Sequence, residues 1–130
     1  MKDIINAPGA PAPAGPYSPG IRHNGLVFVS GQIPLDPSSG ELVTGSIEEQ
    51  TARVIENVQA VLAGAGLALS DVVKTTVFLK NMDNFARMNE TYGRYFNPNP
   101  PARTTVEVAR LPRDVQIEIE AMAIDSRSRP

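Results

Sequence analysis

Residues 102–124 read ARTTVEVARLPRDVQIEIEAMAI. Two runs in it alternate with a period of two, Ala102 to Ala109 and Val115 to Ile124, and LPRD (Leu111 to Asp114) lies between them. Such alternation predicts strands, because successive side chains leave opposite faces of a sheet. In the first run Val106 and Val108 share one face, and Arg103, Thr105 and Glu107 share the other. In the second, Val115, Ile117, Ile119 and Ala121 share a face, and Gln116, Glu118 and Glu120 share the other. If the valines and isoleucines pack on helices, the polar sets point away together. The open face is then expected to carry Arg103, Thr105, Gln116 and the carboxylates of Glu107, Glu118 and Glu120.

Working back from these strands, the remaining elements follow. VVKTTVFLK (Val72 to Lys80) is rich in β-branched residues and reads as a strand. A helix follows from about Asp83 to Phe96, with Phe85, Met88, Tyr92 and Tyr95 on its inner face. Asn97, Pro98, Asn99, Pro100 and Pro101 then break it. Ser46 to Gly66 is the clearest helix. Ser46 and Glu49 have capping-box spacing, and Val54, Val58, Val61, Leu62 and Ala65 form one apolar stripe. Gly64 and Gly66 supply the stop. LVFVSGQ (Leu26 to Gln32) reads as a buried strand. Between it and the first helix, Pro34, Pro37 and Gly40 mark turns. Proline recurs through Ala7 to Gly20, which favours extended backbone and turns. We read that stretch as an ordered arm laid across the domain rather than a PxxP ligand, because PxxP spacing arises wherever proline is dense.

The order strand, helix, strand, helix, strand, strand predicts an α+β fold, a mixed sheet with both helices on one face. Several strands are apolar on both sides, so the second sheet face would be left partly apolar. A monomer rarely exposes that much contiguous apolar surface, and a homo-oligomer that buries it is expected. The 130 residues fit one domain, residues 1–130, with a frayed tail at about 125–130.

Composition narrows the function. Net charge is −2 and the basic residues form no run, so nothing favours nucleic acid or an anionic membrane. The absence of cysteine excludes a disulfide framework, thiolate zinc sites and a catalytic thiol. His23 is the single histidine, so no multi-histidine metal site forms within one chain. No apolar run approaches a membrane span, and MKDIINAPGA lacks the apolar core of a secretory signal. The chain is read as cytoplasmic. Ser30 lacks the G-x-S-x-G elbow of a nucleophile, and no G-x-G-x-x-G or P-loop pattern is present. The polar cluster of the last two strands is therefore the candidate site. Spacing alone weighs a solvated strand face, or ion pairs at a subunit contact, about evenly against a functional site, and it identifies no reaction.

From about Ile5 to Ile124 the chain resembles the reactive intermediate deaminase family (RidA, or YjgF-type). The resemblance rests on GPYSPG (Gly15 to Gly20), VSGQIPLDPSSGEL (Val29 to Leu42), KTTVFLKNMDNF (Lys74 to Phe85) and PARTTVEVARLPRDVQIEIEAMA (Pro101 to Ala123). It implies a chorismate-mutase-like α+β fold assembled as a trimer with the sheets facing the trimer interior. It also implies active sites between subunits and hydrolysis of 2-imino acids or their enamine tautomers, such as 2-iminobutanoate and 2-aminoacrylate, to 2-oxo acids and ammonia. No metal or cofactor is implied. By the same resemblance Arg103 holds the substrate carboxylate and Glu118 positions the attacking water. Tyr17 covers the ligand, and Ser30, Gly31, Asn89 and Thr105 line the cleft. A guanidinium grips a carboxylate with two parallel hydrogen bonds, which lysine cannot copy. Many relatives have cysteine where this chain has Thr105, so a thiol-based modification is lost here while a hydroxyl donor and acceptor remains. The Asn97 to Pro101 loop is shorter than in some relatives. Two competing expectations remain: a non-catalytic trimeric binder of small carboxylate metabolites, and an RNA-directed protein, against which the acidic pI of about 5.3 argues.

Overall fold

The computed structural model describes residues 1–128. Their elements, in chain order, are β1 (Asp3–Ile4), β2 (Gly20–His23), β3 (Leu26–Gln32), α1 (Ile47–Gly64), β4 (Val72–Leu79), α2 (Phe85–Phe96), β5 (Ala102–Glu107) and β6 (Ile117–Ile124). The strands form one mixed sheet in the order β1-β2-β3-β6-β4-β5, in which only β4 and β5 run parallel. A parallel pair needs a long crossover, and α2 supplies it. Both helices pack on one sheet face, so the α+β reading holds.

α1 starts where its cap begins. The Ser46 hydroxyl accepts the Glu49 N–H at 3.1 Å, and the Glu49 carboxylate accepts the Ser46 N–H at 3.3 Å. That reciprocal box satisfies donors the first turn would leave free. Gly66, at φ +75°, follows the last turn, a backbone state that favours glycine. The expected stripe Val54, Val58, Val61, Leu62 and Ala65 is buried, together with Ile55. It meets Val27 and Val29 of β3, Val77 and Leu79 of β4, and Ile117, Ile119 and Ala123 of β6. Each fully buried aliphatic side chain contributes roughly 1.5–3 kcal/mol. A charge at Val54 would therefore break this layer.

Several expectations need correction. The second helix begins at Phe85, not Asp83, because Met82–Asn84 form a separate 3-10 turn. That turn is held by the Asn81 side chain on the Asp83 N–H (2.9 Å) and by Glu107 on the Met82 N–H (2.8 Å). Phe85 is also not buried in the core, with 39% of its surface exposed; Thr91 and Phe96 are buried instead. β1 and β2 were not expected at all. They are two and four residues long and flank the proline-dense arm, so neither is long enough to show a period. The tail is ordered at Asp125, which is buried, paired with Arg22 and bonded by Arg127 (3.0 Å). Of the tail expected to fray, residues 129–130 lie outside the described residues.

The largest correction concerns faces. In the β4–β5 ladder Thr75 pairs with Arg103, Val77 with Thr105 and Phe78 with Val106. In the β4–β6 ladder Val77 pairs with Ile119 and Phe78 with Glu118. Directly paired residues share a face. Arg103, Thr105 and Glu107 therefore lie on the helix side, and Glu118 and Glu120 on the open side. The period grouped the residues of each strand correctly. The assumption that valine must face the helices failed on β5, because Val106 joins an apolar open face with Leu26, Phe28, Phe78, Met122 and Ile124. That open face is as apolar as expected, and Leu26, Phe28 and Val106 are exposed on it.

Candidate functional site

Glu118 projects from β6 into an open-side cavity of about 520 Å³ shared with Tyr17, Ser30, Gly31, Ile33, Pro112, Arg113 and Glu120. Burial raises its carboxyl above the usual carboxylate range, and the neighbouring Glu120 charge adds to the shift. No hydrogen bond or ion pair among the described residues anchors Glu118. Gly31 makes its position possible, because a Cβ there would collide with Glu118 Oε2. The proline-dense arm forms the rim. The Ser30 hydroxyl donates to the Ser18 carbonyl at 2.6 Å, and the Ser30 N–H donates to the Pro19 carbonyl at 3.0 Å. These bonds set Tyr17 at the mouth, half exposed, its hydroxyl accepting the Ala14 N–H at 3.2 Å.

Arg103 lies across the sheet in a second cavity of about 300 Å³, lined by Asn89, Tyr92, Gly93, Asn97, Pro100 and Pro101. Its guanidinium carbon is 4.8 Å from the Tyr92 ring centre and 5.5 Å from that of Phe85. Both contacts are within cation–π range. Among the described residues no carboxylate pairs with it, so its N–H donors are unoccupied. Burial raises the Tyr92 phenol above its usual value, opposed by its bond to Thr75 and by the Arg103 charge. Asn89 Oδ1, on a residue that lines this cavity, and Thr105 Oγ1, two residues along the same strand face from Arg103, are buried without a hydrogen-bond partner. Buried polar atoms are normally paired, so the Asn89 orphan at the cavity wall invites a ligand donor.

The structure thus gathers the named residues into two groups. Tyr17, Ser30, Gly31 and Glu118 stand together, as do Arg103, Asn89 and Thr105, but the sheet separates the two groups. One group pairs a guanidinium with unpartnered acceptors, and the other holds a carboxyl raised by burial. Sequence reading missed Phe85 and Tyr92 as partners of Arg103, having taken both for core. Their seven-residue spacing on α2 was the available signal. Arg113 and Pro112 were also missed; Arg113 reaches the cavity rim from a backbone at φ +56°. A further cavity of about 550 Å³ beside Asn84 and Gln116 is lined by amides that satisfy one another: Asn84 donates to Gln116 Oε1 at 3.3 Å, and the Gln116 N–H to Gln50 Oε1 at 3.1 Å. Among the described residues no helix is long and apolar enough to cross a membrane.

A family profile described as Endoribonuclease L-PSP matches residues 7–125. A RutC family protein of Pyrococcus horikoshii is 54% identical over 95% of this chain and 98% of its own length. The 2-iminobutanoate/2-iminopropanoate deaminase of Salmonella typhimurium is 47% identical over 95% of this chain and 98% of its own. Among solved structures, E. coli TdcF with bound serine superposes with a TM-score of 0.91 at 42% identity, covering 95% of this chain and 99% of that one.

Proposed function

The chain belongs to the RidA (YjgF-type) family, and on that footing we propose that it is a cytoplasmic homotrimer that hydrolyses 2-imino acids and their enamine tautomers to 2-oxo acids and ammonia. The observation that carries this reading is the separation of Arg103 and Glu118 by the sheet. One copy holds an unpaired guanidinium in one cavity and a carboxyl raised by burial in the other. The apolar open face gives copies a reason to associate. Head-to-tail packing around a threefold axis would bring the Arg103 half of one copy to the Glu118 half of the next.

In the joined cleft Arg103 takes the substrate carboxylate through two parallel N–H bonds and fixes the imine carbon. Asn89 Oδ1 accepts from the iminium N–H. Water attacks C2 of the iminium, and Glu118 accepts a water proton as the C–O bond forms. The carboxyl then returns that proton to the carbinolamine nitrogen. The C–N bond breaks, its electron pair leaves with ammonia, and loss of the remaining hydroxyl proton completes the ketone. A carboxyl raised above its usual range by burial holds a proton more readily than a free one, which suits the return of the proton to nitrogen. Tyr17 screens the cleft from bulk water. An enamine must first gain a proton at C3 to become the imine.

The test is to generate 2-iminobutanoate from threonine with a dehydratase and follow loss of the imine signal. The expected outcome is fast loss with the wild-type chain and near-background loss with Arg103→Ala. Equal rates for the two would refute the carboxylate clamp. The serine bound to E. coli TdcF favours a second reading, a small-carboxylate binder. Binding of 2-oxobutanoate without turnover of any imine would select it. RNA cleavage by a repurified sample, abolished in Glu118→Gln, would favour the activity in the family description instead.

A further inference from the structure

We propose that Tyr92 is a positioning residue, the fixed part of an aromatic seat that orients Arg103 edge-on to its carboxylate. This rests on the reading of Arg103 as the carboxylate clamp. Charges taken out of water are normally paired, as Arg22 is with Asp125. A carboxylate partner at Arg103 would compete with the substrate for the same N–H donors. Aromatic faces hold a guanidinium without that competition, because they cover its weakly hydrated planes and leave the edge donors free.

The seat is locked to the strand that carries the arginine. Tyr92 is 4% exposed, and its hydroxyl is 2.7 Å from Thr75 Oγ1, itself 1% exposed. Thr75 is the direct ladder partner of Arg103. The chain of contacts therefore closes: the ladder joins Arg103 to Thr75, a hydrogen bond joins Thr75 to Tyr92, and the Tyr92 ring returns to Arg103 at 4.8 Å. Phe96, with its ring centre 4.5 Å from that of Tyr92, buttresses the ring from the next turn. Phe85, two helical turns before Tyr92, flanks the guanidinium at 5.5 Å but is exposed, so it is the looser half of the seat.

The test compares Tyr92→Leu, Tyr92→Phe and Phe85→Leu with wild type. In the free proteins, NMR reads the Arg103 Nε–H, which a ring face shifts upfield. Calorimetry reads 2-oxobutanoate binding, and the imine assay separates KM from kcat. Tyr92→Leu is expected to remove the upfield shift, weaken 2-oxobutanoate binding about tenfold, and raise KM by a similar factor with kcat changed less. Tyr92→Phe keeps the ring face and should bind and turn over within about threefold of wild type while losing stability at Thr75. An unshifted Arg103 resonance in wild type overturns the seat whatever Arg103 binds. So does 2-oxobutanoate binding by folded Tyr92→Leu within twofold of wild type. If Tyr92→Leu does not fold, Phe85→Leu decides, with about threefold weaker binding expected and unchanged binding overturning the proposal. Wild-type binding by Arg103→Ala would instead refute the clamp itself, and the NMR result would still judge the seat.

Discussion

Replacing Gly31 with alanine places a methyl group where the Glu118 carboxylate now lies. The atoms that overlap are the far end of a flexible side chain, so the conflict is relieved by swinging Glu118 rather than by moving backbone. The stability terms nearly cancel. Alanine gains about 0.5–1 kcal/mol over glycine within a strand, and an off-rotamer side chain costs about 0.5–1.5 kcal/mol. Activity has no such compensation. A displacement of about 1 Å at a reacting group lowers rates by about a hundredfold, equivalent to roughly 2.7 kcal/mol of barrier. Gly31→Ala should therefore unfold in denaturant within about 1 kcal/mol of wild type and hydrolyse 2-iminobutanoate about a hundredfold more slowly. The loss should fall on kcat, because Arg103 lies in the other cavity, across the sheet from Gly31. The assay is the coupled imine decay at saturating and limiting precursor, beside a denaturation curve of the same preparation. A kcat within twofold of wild type would show that the carboxylate need not stay against Gly31, and the assignment of Glu118 would fall with it.

Other outcomes follow from the same geometry. Glu118 sits above the usual carboxylate range through burial and through Glu120, so Glu120→Gln should move the acid limb of the kcat/KM profile to lower pH, and Glu118→Gln should abolish the limb. Because the folded value exceeds the unfolded one, the folded chain holds this proton more tightly. Stability is lost as pH rises from the unfolded value through the folded one, so Glu118→Gln should be more stable than wild type above that window in denaturation curves taken across pH. Ser46→Ala removes the α1 capping box and should cost about 1 kcal/mol in denaturation with imine turnover unchanged.

Much of the fold is legible in local signals. β3 and α1 lie where alternation, the Ser46–Glu49 box and Gly66 place them, because each signal is complete within its own segment. β1 and β2 escape because strands of two and four residues carry no period and exist only through pairing, β2 with β3 and β1 with β2. The faces of β5 and β6 could be grouped by parity but not oriented. Orientation depends on which face the core takes, and on β5 an apolar open face reverses the ordinary inference. That reversal changes the site. Arg103 and Glu118 are the residues expected to act, yet they stand on opposite sides of their own sheet. Phe85 and Tyr92 illustrate a related limit: helical spacing predicts that they share a face, but it does not distinguish packing on a core from packing on a guanidinium.

The central claim is that each site takes Arg103 from one copy and Glu118 from another. Mixed oligomers test it most directly. Arg103→Ala and Glu118→Gln chains, each near background alone, are co-expressed in equal amounts and assayed for imine hydrolysis. If sites form between copies, random mixing leaves about one quarter of them with both native residues, and about one quarter of wild-type activity should return. Mixed oligomers that stay at the background of either parent would contradict the account.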